Sequence, residues 1–370
     1  MNTKDSVTKL GLNLAVILVL CNFVMGQTST FQVVPSEKVP EVLNTISTCV
    51  HANFLQIDSW EGAIEVSRYV VYKGEKAKDI FERHTNALGE RPSKVAKVTE
   101  STTRFSSDIR RELLYAKVSG KIPSRYIDPV DGRDLGTKSI PWYTASILTP
   151  EYHLHSNPSR MSDGKFVERK AVKEKIDQDC PSCAQPSTFD PRDLFDARSP
   201  VWLQYPRILE RIREDGEYVV DGHALKVEQQ HILSNVIQYR VHEPGKMGLE
   251  GENIWLIKTF SSDAGYNMIS LELTRANGEP IHRRTFEYQS VQSIYVPSKV
   301  VYESFDPEDG SLQYRKIQIY KNIRLNQSIP AETFTYKNLG LENGDKFIDK
   351  MLDKEYTYQD GELTPVAAKK

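Results

Sequence analysis

Apolar residues recur at three- and four-residue steps through Val39, Val42, Leu43, Ile46, Val50, Phe54 and Ile57. That spacing places them on one face of a helix. The period then changes to two: Trp60, Gly62, Ile64 and Val66 alternate with Glu61, Ala63, Glu65 and Ser67, and the run continues to Tyr72. Alternation of this kind buries one face of a strand and wets the other. Further strand-like runs follow at residues 94–105, 113–118 and 144–148.

From residue 156 to 200 the large apolar residues give way to Lys, Glu, Asp, Ser and Pro. This predicts a polar surface insertion with one polar helix around residues 167–176, followed by a second helix near residues 205–212. The last third is the most regular part. Strand-like runs at residues 254–260, 267–275, 281–288, 294–303 and 314–323 are separated by turn signals, among them Asn277-Gly278 and Asp309-Gly310. These dipeptides accept the positive φ of tight hairpin turns, and such short connections force neighbouring strands to pair antiparallel. On the second of these strands Ile269, Leu271 and Leu273 face one way while Ser270, Glu272 and Thr274 face the other. A sheet with one dry face is expected to cover a helix or an apolar cleft.

The start of the chain has a different character. Lys4 and Lys9 precede an apolar stretch centred on LAVILVL, and small Gly26 stands before Gln27. Residues 1–26 therefore read as a cleavable secretory signal peptide, with Val24 and Gly26 at the positions a signal peptidase tests. The stretch also carries Asn13 and Asn22 and is short against the roughly 20 residues a membrane span needs. Leu20 is too bulky for the signal that would lipidate Cys21. The expected location is periplasmic or otherwise extracytoplasmic.

The chain has 370 residues, with 39% hydrophobic and 26% charged, an ordinary soluble composition. Its formal net charge of −2 argues against a nucleic-acid partner, which needs clustered excess Lys and Arg. Of the 4 cysteines, Cys21 leaves with the leader, so Cys49, Cys180 and Cys183 remain. The Cys180-Pro-Ser-Cys183 motif is open to three readings: a redox pair, half a metal site or a small disulfide. Export favours the Cys180–Cys183 disulfide. Cys49 lies near the apolar helix face and reads as a small buried hydrophobe.

The C-terminal third resembles a known group. The strand at residues 291–297, the hairpin around Asp309-Gly310, and Leu325-Asn326-Gln327-Ser328-Ile329-Pro330 leading to Phe334-Thr335 are similar to the end of the outer-membrane lipoprotein-sorting carriers, the LolA/LolB-like group. A helix followed by a strand beginning near Trp60 matches that group's opening. The chain departs from the pattern at Ser293-Ile294-Tyr295, where Gly-Ile-Trp is usual, and is nearly twice as long as a typical single carrier. The resemblance implies a β-rich α+β fold: an antiparallel, incomplete half β-barrel wrapped around helices, here with a polar insertion, and an apolar cavity for acyl chains. Fold alone does not license function. The expected organisation is a leader at residues 1–26, a helix and first strands at 27–155, the insertion at 156–200, and a meander at 201–370 completing the same domain.

Local chemistry is sparse. His153 and His155 would share a face of an extended segment, a spacing that can hold zinc, yet no third ligand lies nearby in sequence, and hydrogen-bonded or solvated rings are expected. Asp128, Asp131 and Asp134 in DPVDGRDLG lack the spacing of a calcium loop and read as turn formers. There is no Gly-x-Ser-x-Gly elbow and no phosphate-cradling Gly loop. No catalytic residue, metal or cofactor is therefore assigned, and a non-enzyme is expected.

The expected function is an exported soluble protein that binds a lipid or a lipidated protein in an apolar cleft. Trp60, Ile64, Trp255, Ile257, Ile269 and Leu271 are the candidate lining, chosen because they alternate onto one face of their strands. The alternative is a structural or protein-interaction module of the envelope with a filled cavity; an exported hydrolase or redox protein is the third class. The leader yields a direct expectation. Protein recovered after export should begin at Gln27 by N-terminal sequencing, and an intact Met1 would contradict cleavage.

Overall fold

The computed structural model describes residues 30–84, 92–122, 125–136, 140–162, 165–176, 200–233, 235–247 and 251–366. The leader, Cys180 and Cys183 lie outside the described residues.

The first helix, α1 (Val39–Leu55), begins with a proline in its first turn, where the missing N–H costs nothing. Its predicted stripe is the buried one: Val42, Leu43, Ile46 and Val50 all point inward. A short helix, α2 (Gly74–His84), and a third, α3 (Val201–Asp215), follow. Gly216 ends α3 in the left-handed conformation, donating its N–H to the Ile212 carbonyl. Helices α1 and α3 pack together, and Trp202 of α3 stacks between His51 and Phe54 of α1 at ring separations of 5.4 and 5.0 Å.

The strands, numbered in chain order, form one long open sheet. The N-terminal set comprises β1 (Gln32–Val33), β2 (Ser59–Lys73), β3 (Lys94–Asp108), β4 (Leu113–Ile122), β5 (Arg125–Ile127), β6 (Asp134–Gly136), β7 (Ile140–Leu148), β8 (Tyr152–Ser162) and β9 (Lys165–Lys175). A small separate hairpin, β10 (Val219–Val220) and β11 (His223–Ala224), follows α3. The meander then runs through β12 (Lys226–Leu233), β13 (Val236–Met247), β14 (Glu252–Ser261), β15 (Met268–Arg275), β16 (Pro280–Val291), β17 (Ile294–Phe305) and β18 (Leu312–Leu325). Three short strands close the chain: β19 (Lys346–Asp349), β20 (Lys354–Gln359) and β21 (Glu362–Pro365).

Each meander strand pairs antiparallel with the next from β12 to β18, as the turn signals predict. The last of them, β18, pairs antiparallel with β2, and β2 in turn pairs with β3 along its whole length. The N-terminal half continues through β4, β7, β8 and β9. Among the described residues one pairing is parallel, that of β9 with β19. The sheet does not close; its meander half curls around α1 and α3.

The main core fills that curl. Leu43, Ile46 and Val50 of α1 and Tyr205 and Ile208 of α3 pack against Trp60, Ile64, Val241, Phe260, Phe286, Val300 and Tyr320 of the sheet. A second core, around Ile147, Leu154, Phe347, Phe334 and Leu339, lies on the other face of the β7–β8–β9 half under the C-terminal turns. Asn53, buried near the end of α1, accepts from the Tyr295 N–H at 2.8 Å and donates to the Tyr295 carbonyl at 2.9 Å, so a helix side chain locks the tip of β17.

Two expectations are corrected. Residues 165–175 form strand β9 and not a polar helix. The segment reads as polar because, of its described side chains, only Ala171 and Val172 are buried, one on each face, while Lys170 and Lys175 are exposed and Lys173 and Glu174 are half-buried in ion pairs. The helix expected near residues 205–212 starts earlier, at Val201.

Charge is also buried where the pattern suggested none. Lys258 of β14 points inward beneath α3 and donates to Gln204 at 2.7 Å and to Glu243 of β13 at 3.1 Å, while Gln204 donates to the same carboxylate at 2.8 Å. Breaking such a pair from one side strands the other charge in the core. Lys258→Met alone is expected to cost roughly 3–5 kcal/mol of unfolding free energy in urea melts. Lys258→Met combined with Glu243→Leu should recover most of that loss, and a double variant as unstable as the single one would contradict the coupling.

Candidate functional site

Register fixes which side chain faces the concave side. Across the middle of the curl, Arg68 of β2 lies opposite Lys316 of β18, Lys316 opposite Tyr302 of β17, Tyr302 opposite Arg284 of β16, and Arg284 opposite Leu271 of β15. Leu271 packs on the main core, which marks this row as the inner one. The neighbouring row, one residue along each strand, faces out. It reads Arg315, Glu303, Arg283, Glu272 and then Ile257, and its charges alternate in sign. They pair across strands, Arg315 with Glu303 at 2.7 Å and Arg283 with Glu272 at 3.6 Å.

In the inner row Arg68 and Arg284 lack such cross-strand carboxylates. From β2 to β15 the row holds three cations and no carboxylate, and the flanking same-face positions Val66, Val70, Tyr314, Gln318, Val300, Ser304, His282 and Phe286 are not acidic; one strand further, on β14, the row meets Lys258, which is paired with Glu243. Among the described residues, neither Arg68 nor Arg284 has an ion-pair partner. Arg284 instead lies 5.8 Å from the Tyr302 ring centroid. Burial raises the Tyr302 and Tyr314 hydroxyls above their ordinary pKa, an effect Arg284 and Arg68 respectively oppose. Burial likewise raises Tyr320, again against the pull of Arg284. His282 lies within 3.0 Å of the Tyr302 hydroxyl, and burial lowers its pKa, so the ring adds no positive charge at neutral pH. Arg68 and Lys316 are direct cross-strand neighbours, an arrangement that like-charge repulsion disfavours.

Beside the row is a cleft of about 240 Å³ lined by Ile64, Val66, Thr103, Val118, Trp142 and Thr144, with Arg68, Lys316 and Gln318 on its polar side. Small-molecule sites usually span roughly 300–1,000 Å³, so this cleft takes a segment of a chain and not a whole lipid. Its walls come from β2, β3, β4, β7 and β18 and therefore depend on the β2–β18 and β3–β4 pairings.

The six residues expected to line a cavity do not share one face. Ile64 lines the cleft, and Trp60 stands behind it in the core; each is 1% exposed. Leu271 is half-buried on the same inner face. Trp255 and Ile257 face outward, since Ile257 lies opposite Glu272 and His242 and the Trp255 ring meets His223 and His242 edge-on. Strand β14 is apolar on both faces across Ile254, Trp255, Leu256 and Ile257, so alternation alone did not fix its orientation; the inward Lys258 does. Ile269 falls at an irregularity in the β14–β15 register and is half-buried.

The remaining candidates resolve locally. The carboxylates of Asp128, Asp131 and Asp134 accept from the N–H groups of Val130, Arg133 and Gly136, as turn formers do. Asp306 and Asp309 hold the Lys73 ammonium at 2.7 and 2.9 Å. Burial raises the Cys49 thiol, which disfavours the reactive thiolate. His153 and His155 do share a face of β8, stacked with ring centroids 4.9 Å apart. Sequence spacing missed their neighbour: Glu174 of β9 lies opposite His153.

Among the described residues, no helix is long and apolar enough to cross a membrane. No family model matches the chain, and no curated protein matches it. Among solved structures it is similar to a DUF1329 family protein from Desulfovibrio piger, with 10% identity over 81% of this chain and 98% of that one and a TM-score of 0.33. It is also similar to a putative outer membrane lipoprotein-sorting protein domain from Vibrio parahaemolyticus, with 9% identity over 82% of this chain and 99% of that one and a TM-score of 0.29. The second belongs by name to the class that the C-terminal third resembles. At these TM-scores neither likeness carries an argument about ligand or activity.

Proposed function

We propose that this chain is an extracytoplasmic binding protein that holds an amphipathic ligand with an anionic head, a lipid or the lipid of an acylated protein, on the concave face of its half-barrel. One observation carries the reading: Arg68, Lys316 and Arg284 stand in a single inner row in which neither arginine has an ion-pair partner among the described residues, beside a cleft with an apolar wall, while the outer row of the same strands is charge-paired. A row of cations that costs stability in the empty protein gains it back when an anion arrives. Ile64, Val66, Val118 and Trp142 contact the chain, and each methylene buried there contributes about 0.8 kcal/mol. Arg68, Lys316 and Arg284 contact the head; Arg68 and Arg284 stand three strands apart, roughly 14 Å between backbones, within reach of one extended head group. Leu271 flanks Arg284 on the same face.

A second reading, a structural or interaction module, is favoured by the helices that fill the rest of the curl, where Trp60, Tyr205 and Phe260 are fully buried. The two are separated by a fluorescent acyl chain ending in a carboxylate and by its methyl ester. The acid is expected to bind the wild-type chain more tightly than the ester. Each lost charge-assisted hydrogen bond is worth about 1.5–3 kcal/mol, so Arg68→Gln with Arg284→Gln should weaken the acid at least about tenfold and leave the ester nearly unchanged. No binding of either probe, or equal affinity for both, would favour the module.

A further inference from the structure

We infer that His153, His155 and Glu174 form a site for a borderline divalent cation, zinc being the best match, with one coordination position left open to water. The three residues sit on the face of β8 and β9 opposite the second core, and their ligand atoms all lie within 4.8 Å of one another. Both imidazoles turn Nδ1 toward the same carboxylate oxygen: His155 Nδ1 is 3.7 Å and His153 Nδ1 is 3.9 Å from Glu174 Oε1.

Those separations are too long for hydrogen bonds and too short to admit a water comfortably between each pair. They suit a metal. Bonds of about 2.0–2.1 Å in a tetrahedron put ligand atoms roughly 3.3–3.4 Å apart, so the two imidazole–carboxylate gaps need shifts of a few tenths of an ångström, and the remaining separation, within 4.8 Å, closes by a larger turn of the rings. The Nδ1 atom of His155 is buried and has no hydrogen-bond partner, an arrangement that costs free energy unless something occupies its lone pair.

The surroundings hold each ligand ready. His153 Nε2 lies 2.8 Å from the Ser146 hydroxyl, which orients the ring so that Nδ1 faces the centre. The other oxygen of Glu174 accepts from the Lys350 ammonium at 2.7 Å, leaving Oε1 to the cation. Two nitrogens with one oxygen favour zinc, cobalt or nickel over calcium or magnesium, which take oxygen. Glu174 is 34% exposed at its side chain, so a cation and its water can reach the site from solvent.

The test uses the full, untagged, metal-stripped chain and zinc alone, titrated against a chromophoric chelator. The wild type should take up one zinc per chain, whereas Glu174→Gln and His155→Gln should each lose at least about 100-fold in affinity while keeping the wild-type circular dichroism. Ser146→Ala, which removes only the orienting hydroxyl, should lose about tenfold. If either ligand variant fails to fold, zinc protection of His155 from diethylpyrocarbonate in the wild type provides the readout, and protection is expected. No zinc uptake by the wild type, unchanged uptake by folded ligand variants, or unprotected His155 would overturn the site.

Discussion

Everything in the fold depends on strand β2 having two full partners. On one edge it pairs with β3, its neighbour in sequence; on the other it pairs with β18, more than two hundred residues away. That second pairing carries the meander around α1 and α3, and it brings Arg68 beside Lys316 and Ile64 beside Tyr320. Without it the N-terminal half and the meander would be two sheets with open edges, each a template for unwanted pairing. The tip of the curl is fixed separately by Asn53, whose amide reads the Tyr295 backbone as a strand would. Long-range closure of this kind is slow to form, since its entropy is lost before its contacts are gained.

The two faces of the curl show how one sheet can be stable and still leave a site. Outside, alternating charges pair across strands at water-facing positions, where each pair adds little but none opposes folding. Inside, one end of the face is closed by the helices and the other holds cations next to a cleft with an apolar wall. The same principle operates in the second half of the sheet. There one face is a sealed core, and the opposite face carries two neutral imidazoles and a carboxylate whose ligand atoms stop just short of contact. In each case the chain tolerates a locally unfavourable arrangement that an ion or ligand of the opposite kind would relieve.

Much of the fold was legible from residue pattern. The three- and four-residue steps from Val42 to Val50 gave the buried stripe of α1, and the alternation from Trp60 to Val66 gave β2. The dipeptides Asn277-Gly278 and Asp309-Gly310 marked hairpins that form where expected. Other parts were hidden for physical reasons. Among the described side chains of β9 only Ala171 and Val172 are buried, so its lysines and glutamates masked its period. The apolar run Ile254 to Ile257 offered both faces of β14 as candidates, and only the inward Lys258, held by Gln204 and Glu243, decides between them. The inner row of cations exists only through register, because Arg68, Arg284 and Lys316 come from three distant segments. Glu174 joins His153 for the same reason. The leader and the Cys180–Cys183 pair remain sequence expectations, since they fall outside the described residues.

Binding of an anionic amphiphile on the inner face is the proposed property on which the functional reading stands. Native mass spectrometry of the full chain, purified gently from the cells that make it and followed by lipid extraction, is the decisive measurement. The account predicts a mass above that of the protein alone, released on extraction as an acyl-bearing species with an acidic head and lost in Arg68→Gln/Arg284→Gln. A clean mass of the protein alone, or a bound lipid with no acidic group, would contradict it.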